Sequence, residues 1–410
     1  MIDFTVPDEI KGILDGLRRF IAIEVVPLEK EHAATLENPR KLYNEKGTYI
    51  PAILEARKQV RRKSAAAGYY SMFVPEELGG GGLGEITSFF VWEFQYKELG
   101  VPSPVCEAQV VPRFLDAPGP GYVGVNEAMM PDIQSLVNGE TTSCFALSEP
   151  GAGSDLWAMT TKATRNGNGW VINGRKLWIT NAPYADYALL FAVTDQELMR
   201  QHKGGLTAFL VPTRNSGWEV ESVILTMGHI GSEVGSVNIN NLQASDHQVI
   251  GEVHQGFKVA MAGVNMGRIA NGARCLGLAE WAFLKAVDYA KERVTFGVPL
   301  ADHQAIQFMI ADCAIEIACG RSLGIRASWR AENLGRSALK DVCMVKAYCV
   351  EAAQRVIDTS IQIMGGMGVA NEMRLEEAWK IVRQLRIPDG SSEMQRRTIA
   401  HQILRGDLDL

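Results

Sequence analysis

Five short segments carry residue types that could do chemistry. Asp389 lies in Pro388-Asp389-Gly390. Proline presets φ, aspartate bonds its own backbone and glycine accepts positive φ, so the tripeptide reads as a turn. A carboxylate there is either a turn cap or a proton acceptor. Arg293 follows a helical stretch containing Tyr289, Ala290 and Lys291. It either complements the helix dipole or holds a pyrophosphate through charge-assisted hydrogen bonds. Met364-Gly365-Gly366-Met367-Gly368 is either a helix cap or a place where backbone approaches a ligand closely. Two stretches fit GxGxxG, one starting at Gly79 and one spanning Gly119 to Gly124 with Pro120 inside it. A dinucleotide fingerprint must follow a strand and open a helix, and neither does. The seven histidines form no HExxH and the seven cysteines no CxxC, so no metal site is expected.

The elements that must position these residues fall into three runs. Ile10, Ile13, Leu14 and Leu17 recur at helical spacing, as do Ile53, Leu54, Val60 and Ala65, and Phe89 to Leu99 forms a third helix. Pro75 to Gly82 is a loop. The middle of the chain is strand-like: 187–193, 206–211 and 237–240 alternate or are rich in aliphatic residues. Asn173-Gly174 divides two such runs and predicts a type I′ hairpin there. Helical period returns near residue 255, with Val345, Cys349, Ala352 and Val356 on one face. Several of these helices are apolar on more than one face, as in a bundle.

Composition narrows the function classes. The chain has 410 residues, 47% hydrophobic and 21% charged, with net charge −6. It can bury a large core without staples, and no broad basic face for nucleic acid is expected. No membrane span is expected. The opening MIDFTVPDEIKGILDG lacks the regions of a signal peptide and is too acidic for a transit peptide. Scattered cysteines, odd in number, suggest free thiols in a reducing, cytoplasmic setting.

Five segments then occur in an order that resembles the acyl-CoA dehydrogenase family. They are Phe145 to Asp155 (FALSEPGAGSD), Lys176 to Asn181 (KLWITN), Glu292 to Gly297 (ERVTFG), Gln362 to Gly366 (QIMGG) and Ile387 to Arg396 (IPDGSSEMQR). The resemblance covers nearly the whole chain. It implies a mainly α fold with a central β domain: an N-terminal helical domain over 1–140, a small β-barrel or sandwich over 141–252, and a C-terminal four-helix bundle over 253–410. It implies FAD as cofactor, an acyl-CoA substrate, an electron-transfer flavoprotein as acceptor, and a homo-oligomer, dimer or tetramer, with flavin sites at subunit interfaces.

Residue roles follow from the same resemblance. Phe145, Ala146, Leu147 and Ser148 would run along the flavin, with Gly153 and Ser154 beyond them and Trp178, Ile179 and Thr180 beside it. Arg293, Thr295, Phe296, Gln304, Gln362, Gly365 and Gly366 would reach a neighbouring subunit's cofactor, and Ser391 and Glu393 would return to it near the C-terminus. Ser154, Arg268 and Gly390 would bind substrate. The family's base removes the α proton of a thioester while the β hydrogen leaves as hydride to the flavin, and the enolate-like oxygen needs donors placed in advance. The base is commonly glutamate; this chain has Asp389 at that position, and Gly267 at the alternative one. Asp389 is therefore the expected base, on a side chain shorter by about 1.5 Å. Nitroalkane oxidases and flavin monooxygenases of this fold, a carrier-protein-bound thioester, and a silent scaffold are the competing readings.

Overall fold

The computed structural model describes residues 5–119, 121–227 and 231–409. Pro120 of the second glycine motif lies outside them. In chain order the main elements are α1 (Asp8–Phe20), α2 (Pro51–Ala66), α3 (Glu85–Leu99) and α4 (Met130–Val137). Strands β1 (Ser143–Ala146), β2 (Lys162–Asn166), β3 (Gly169–Thr180), β4 (Tyr187–Val193), β5 (Leu206–Pro212), β6 (Trp218–Val223), β7 (Val234–Ser245) and β8 (Val249–Ile250) follow. Then come α5 (Gly256–Glu292), a hairpin of β9 (Val294–Thr295) and β10 (Val298–Pro299), α6 (Gln304–Leu334), α7 (Leu339–Met364), α8 (Leu375–Leu385) and α9 (Ser392–Leu404). The order of helices, strands and helices is the one expected. By packing, the chain groups into two compact units: residues 1–14, 84–102 and 265–410, and residues 15–83 and 103–264.

The strand-bearing unit is built on an open sheet ordered β6-β7-β3-β2-β4-β5-β8, with β1 joining β4 in parallel; it does not close into a barrel. β4 and β5 are buried on both faces, so they are continuous apolar runs rather than alternating ones. Leu189, Phe191 and Val193 enter one core with α4, while Ala188, Leu190 and Ala192 enter another with β3 and β7. The expected hairpin at Asn173-Gly174 is absent. β3 runs straight through those residues with a register shift against β7. Gly174 is required there by crowding, since a Cβ would lie 2.6 Å from the Thr161 Cα. The tight turn falls at Gly167-Asn168, where Asn166 pairs with Gly169 and Gly167 takes φ 56°. The two central residues of that turn are thus Gly167 and Asn168, with positive φ at the glycine alone.

The helical unit packs α3 with α6, and α7 with α6, α8 and α9. Val345, Cys349, Ala352 and Val356 all face its core, each at most 1% exposed. Helices approach closely where glycine allows it. A Cβ on Gly277 of α5 would sit 2.3 Å from the Glu93 carbonyl oxygen of α3. Ion pairs lock the same crossing: Arg321 of α6 binds Glu93 and Glu280, and Lys97 binds Glu280 at 2.8 Å.

Candidate active site

Three sequence-nominated residues share an unusual backbone. Trp178 (φ 64°), Phe296 (φ 52°) and Asp389 (φ 56°) are left-handed although none is glycine. Such residues persist where the surroundings over-determine them, and they cluster at functional sites.

In the strand-bearing unit, Trp178 occupies a β-bulge between Lys176 and Ile179. The bulge turns the indole outward, 56% exposed, between buried neighbours Lys176 and Ile179. Segment 145–149 is fastened beside it. The Ser148 Oγ donates to the Leu177 carbonyl at 2.9 Å, and the Leu177 N–H donates to the Ser148 carbonyl at 3.0 Å. Below them Lys176 is fully buried and its Nζ donates to the Leu147 carbonyl at 2.9 Å and to Glu149 Oε1 at 2.8 Å. Glu149 also accepts from the Thr160 and Thr161 N–H groups and the Thr160 hydroxyl. Burial works against the Glu149 charge, but Lys176 and these donors hold its pKa down at about 2. Burial pulls Lys176 down to about 8, with Glu149 opposing. Ser148 N–H and Thr180 hydroxyl have no partner among the described residues. Gly153 and Ser154 are exposed, and nothing lies within 4 Å of a Cβ built on Gly153. An exposed indole beside open donors on a fixed backbone suits a flat ring with polar edges.

In the helical unit, Asp389 and Gly390 form two consecutive left-handed residues before α9. The turn is held from three helices. Arg268 Nε of α5 donates to the Asp389 carbonyl at 2.9 Å. Lys346 Nζ of α7 donates to the Gly390 carbonyl at 2.6 Å. Gln395 Nε2 of α9 donates to both carbonyls, at 2.9 and 2.8 Å. Asn271 of α5 donates to Asp389 Oδ2 at 2.6 Å. Oδ1 and the Asp389 N–H have no partner among the described residues. Burial raises the Asp389 pKa above the ordinary carboxylate value, against the pull of Lys346, Arg268, Arg274 and the Asn271 bond. Burial lowers Lys346 to about 8, with Asp389 opposing.

The remaining candidates lie at other places on the helical unit. Arg293, Phe296 and Gln304 are exposed, Phe296 at 99%, and Thr295 is bonded through its hydroxyl to His303 at 3.0 Å. Gly365 (φ 57°) ends α7, which satisfies the cap reading. Gln362, Gly365 and Gly366 are nevertheless exposed, and nothing lies within 4 Å of a Cβ on either glycine. Ser391 caps α9 by accepting from the Met394 N–H at 3.4 Å, and Glu393 is exposed in its first turn. Asn271, Lys346, Gln395 and the Lys176–Glu149 pair were not singled out from sequence. The signal for Asn271 was available: Arg268, Asn271 and Arg274 put polar side chains at three-residue spacing on an otherwise apolar helix. Among the described residues no cluster of His, Cys, Asp or Glu could hold a metal, and no helix is long and apolar enough to cross a membrane.

Each unit thus carries its own chemistry: an exposed aromatic plane with open hydrogen-bonding groups in one, and a carboxylate with one oxygen unpartnered among the described residues in the other. Comparison with known proteins gives the family. Residues 144–242 match the acyl-CoA dehydrogenase middle domain, and residues 254–404 the acyl-CoA dehydrogenase C-terminal domain. The human mitochondrial short-chain specific acyl-CoA dehydrogenase is 36% identical over 347 residues, 84% of this chain and 82% of that protein. A 3-(aryl)acrylate reductase of Clostridium sporogenes is 32% identical over 85% of this chain and 90% of that one. The solved butyryl-CoA dehydrogenase of Megasphaera elsdenii superposes with TM-score 0.80 at 25% identity, covering 98% of this chain and all of that one. The chain belongs to the acyl-CoA dehydrogenase family. It is an oxidoreductase acting on CH–CH groups, and its cofactor is FAD.

Proposed function

We propose that this enzyme removes hydrogen from the α and β carbons of an acyl-CoA thioester, with Asp389 as the base. The supporting observation is the Asp389 turn, which presents one carboxylate oxygen and one backbone N–H without partners among the described residues, on a backbone held by four hydrogen bonds, with a fifth to the other carboxylate oxygen. Oδ1 takes the α proton. The Asp389 N–H donates to the thioester oxygen, where negative charge grows. Asn271 keeps Oδ2 occupied, so the proton is received at a defined atom. FAD, when bound, would supply the acceptor for the β hydrogen and its electron pair. Ser148, Trp178 and Thr180 hold and flank that cofactor, and the Lys176–Glu149 pair fixes the backbone that carries them. Arg268 and Gly390 position the substrate beside the base, with Ser154 toward its carrier end. The reduced enzyme passes electrons to an electron-transfer flavoprotein; a solved chain from work on the electron-transferring flavoprotein of Acidaminococcus fermentans, 27% identical with TM-score 0.82, supports that partner.

The enzyme works as a homo-oligomer. Val294, Phe296 and Val298 on the hairpin and Phe308 and Ile315 on α6 are each at least 40% exposed. Large apolar side chains exposed together on neighbouring elements suit a protein interface. Arg293, Thr295, Gln304, Gln362, Gly365 and Gly366 would then meet the neighbouring subunit's cofactor. Anaerobic titration of the purified yellow protein with acyl-CoA esters tests the activity. Bleaching of the oxidised flavin band by an acyl-CoA supports it. A yellow protein that no thioester bleaches, but that consumes oxygen with a nitroalkane, would replace it.

A further inference from the structure

Arg274 is the anomaly of the helical unit. Arg268, Arg321 and Arg330 there each bind a carboxylate or a carbonyl oxygen. Arg274 binds neither, and its Nε is the one arginine nitrogen among the described residues that is sealed from water without an acceptor. Its guanidinium lies over the Tyr96 ring of α3, 5.8 Å from the centroid. That contact leaves Nε unsatisfied, and the terminal nitrogens of this half-buried side chain have no acceptor among the described residues. A guanidinium is always charged, and drawing even one of its N–H groups out of water without an acceptor is costly.

Its place on α5 says what could complete it. Asn271 touches the Asp389 carboxylate, and Arg274 is one turn further on the same side. The rise between them is about 4.5 Å. The charge of Arg274 is felt at Asp389, together with those of Lys346 and Arg268. Asp389 is thus one anion facing three cations, Glu393 being the other carboxylate acting on Lys346. The surplus is positive, and Arg274 stands one turn along α5 from the side chain that touches the Asp389 carboxylate.

We propose that Arg274 receives a carboxylate at the far end of the acyl chain, so that the preferred substrate is a CoA thioester of a dicarboxylic acid. This rests on the dehydrogenase reading above. A planar fork meeting a planar carboxylate makes two parallel hydrogen bonds, which lysine cannot reproduce. Such a pairing gives roughly 10- to 100-fold discrimination.

The experiment uses the flavin-loaded enzyme and matched pairs: hexanoyl-CoA with adipyl-CoA, and valeryl-CoA with glutaryl-CoA. The readout is the ratio of kcat/KM within each pair. The expected wild-type ratio favours the dicarboxylyl ester at least tenfold for one pair. In Arg274→Gln the ratio falls toward one, and in Arg274→Lys it is intermediate. A ratio protects the conclusion against general damage by either variant. A wild-type ratio near or below one in both pairs overturns the proposal, as does a ratio that Arg274→Gln does not move. Calorimetric binding of the corresponding 2-enoyl-CoA pairs, which need no turnover, gives the same comparison. Should no thioester reduce the flavin, the dehydrogenase reading fails, while the enoyl-CoA binding ratio still decides the role of Arg274.

Discussion

Replacing Lys176 with methionine removes one half of a fully buried ion pair and leaves the other half in place. Glu149 would keep the Thr160 and Thr161 donors but lose its counter-ion, and the Leu147 carbonyl would lose its donor. Breaking a buried pair this way costs about 3–5 kcal/mol; the three surviving hydrogen bonds place this case near the lower end, at about 3 kcal/mol. For a unit of this size that is a fall in Tm of roughly 6–12 °C. Flavin content should fall with it, because the lysine fastens the segment that carries Ser148. The assay is thermal unfolding by circular dichroism, with the visible-to-ultraviolet absorbance ratio for cofactor. The acid limb gives an independent check. Glu149 is held at about 2 against an ordinary 4.5, so its stabilising contribution is complete above about pH 4.5 and is lost as pH falls toward 2. In Lys176→Met the folded pKa rises, and acid unfolding begins at higher pH. The double variant Lys176→Met/Glu149→Gln should regain part of the lost stability. A single variant that loses under about 1 kcal/mol, or a double variant no more stable than the single, would refute this account of the pair.

Asp389→Asn should keep its flavin and slow anaerobic flavin reduction by roughly 10²- to 10⁴-fold; near-normal reduction in a yellow variant would remove Asp389 as the base. Asn271→Leu deletes the donor to Oδ2, which favours the ionised form, so the Asp389 pKa should rise further. The rising limb of the reduction rate against pH then moves up by about one to two units, and an unmoved limb would show that Asn271 does not tune the base. Phe296→Asp places a charge in the exposed apolar hairpin; smaller particles in sedimentation and partial loss of FAD are expected, whereas an unchanged mass would place the subunit contact elsewhere.

Much of this was readable from residue order, and the exceptions have physical causes. The helices declared themselves by period, as Val345, Cys349, Ala352 and Val356 show. The Asn173-Gly174 pair misled because the same dipeptide serves two needs: positive φ in a turn, and absence of a Cβ where strands crowd. Crowding by Thr161, the residue before β2, comes from a segment 13 residues away and has no local signature. Asp389, Trp178 and Phe296 could be nominated by motif, but their left-handed backbones could not. Lys346 is hidden for a related reason, since it meets Gly390 across 44 residues of sequence. A buried lysine on an apolar helical face is visible as an oddity, yet its acceptor is set by tertiary packing alone.

The five-bonded turn at Asp389 has a consequence for selectivity. A carboxylate carried on a turn that is held from three helices cannot travel far to meet a poorly seated substrate, and a displacement of about 1 Å can cost a hundredfold in rate. The base therefore acts as a fixed gauge against which each thioester's α carbon is measured. Acyl groups that fit the pocket but stop short of the gauge should bind well and turn over slowly. Discrimination among chain shapes would then be written in kcat, with KM nearly constant across the series.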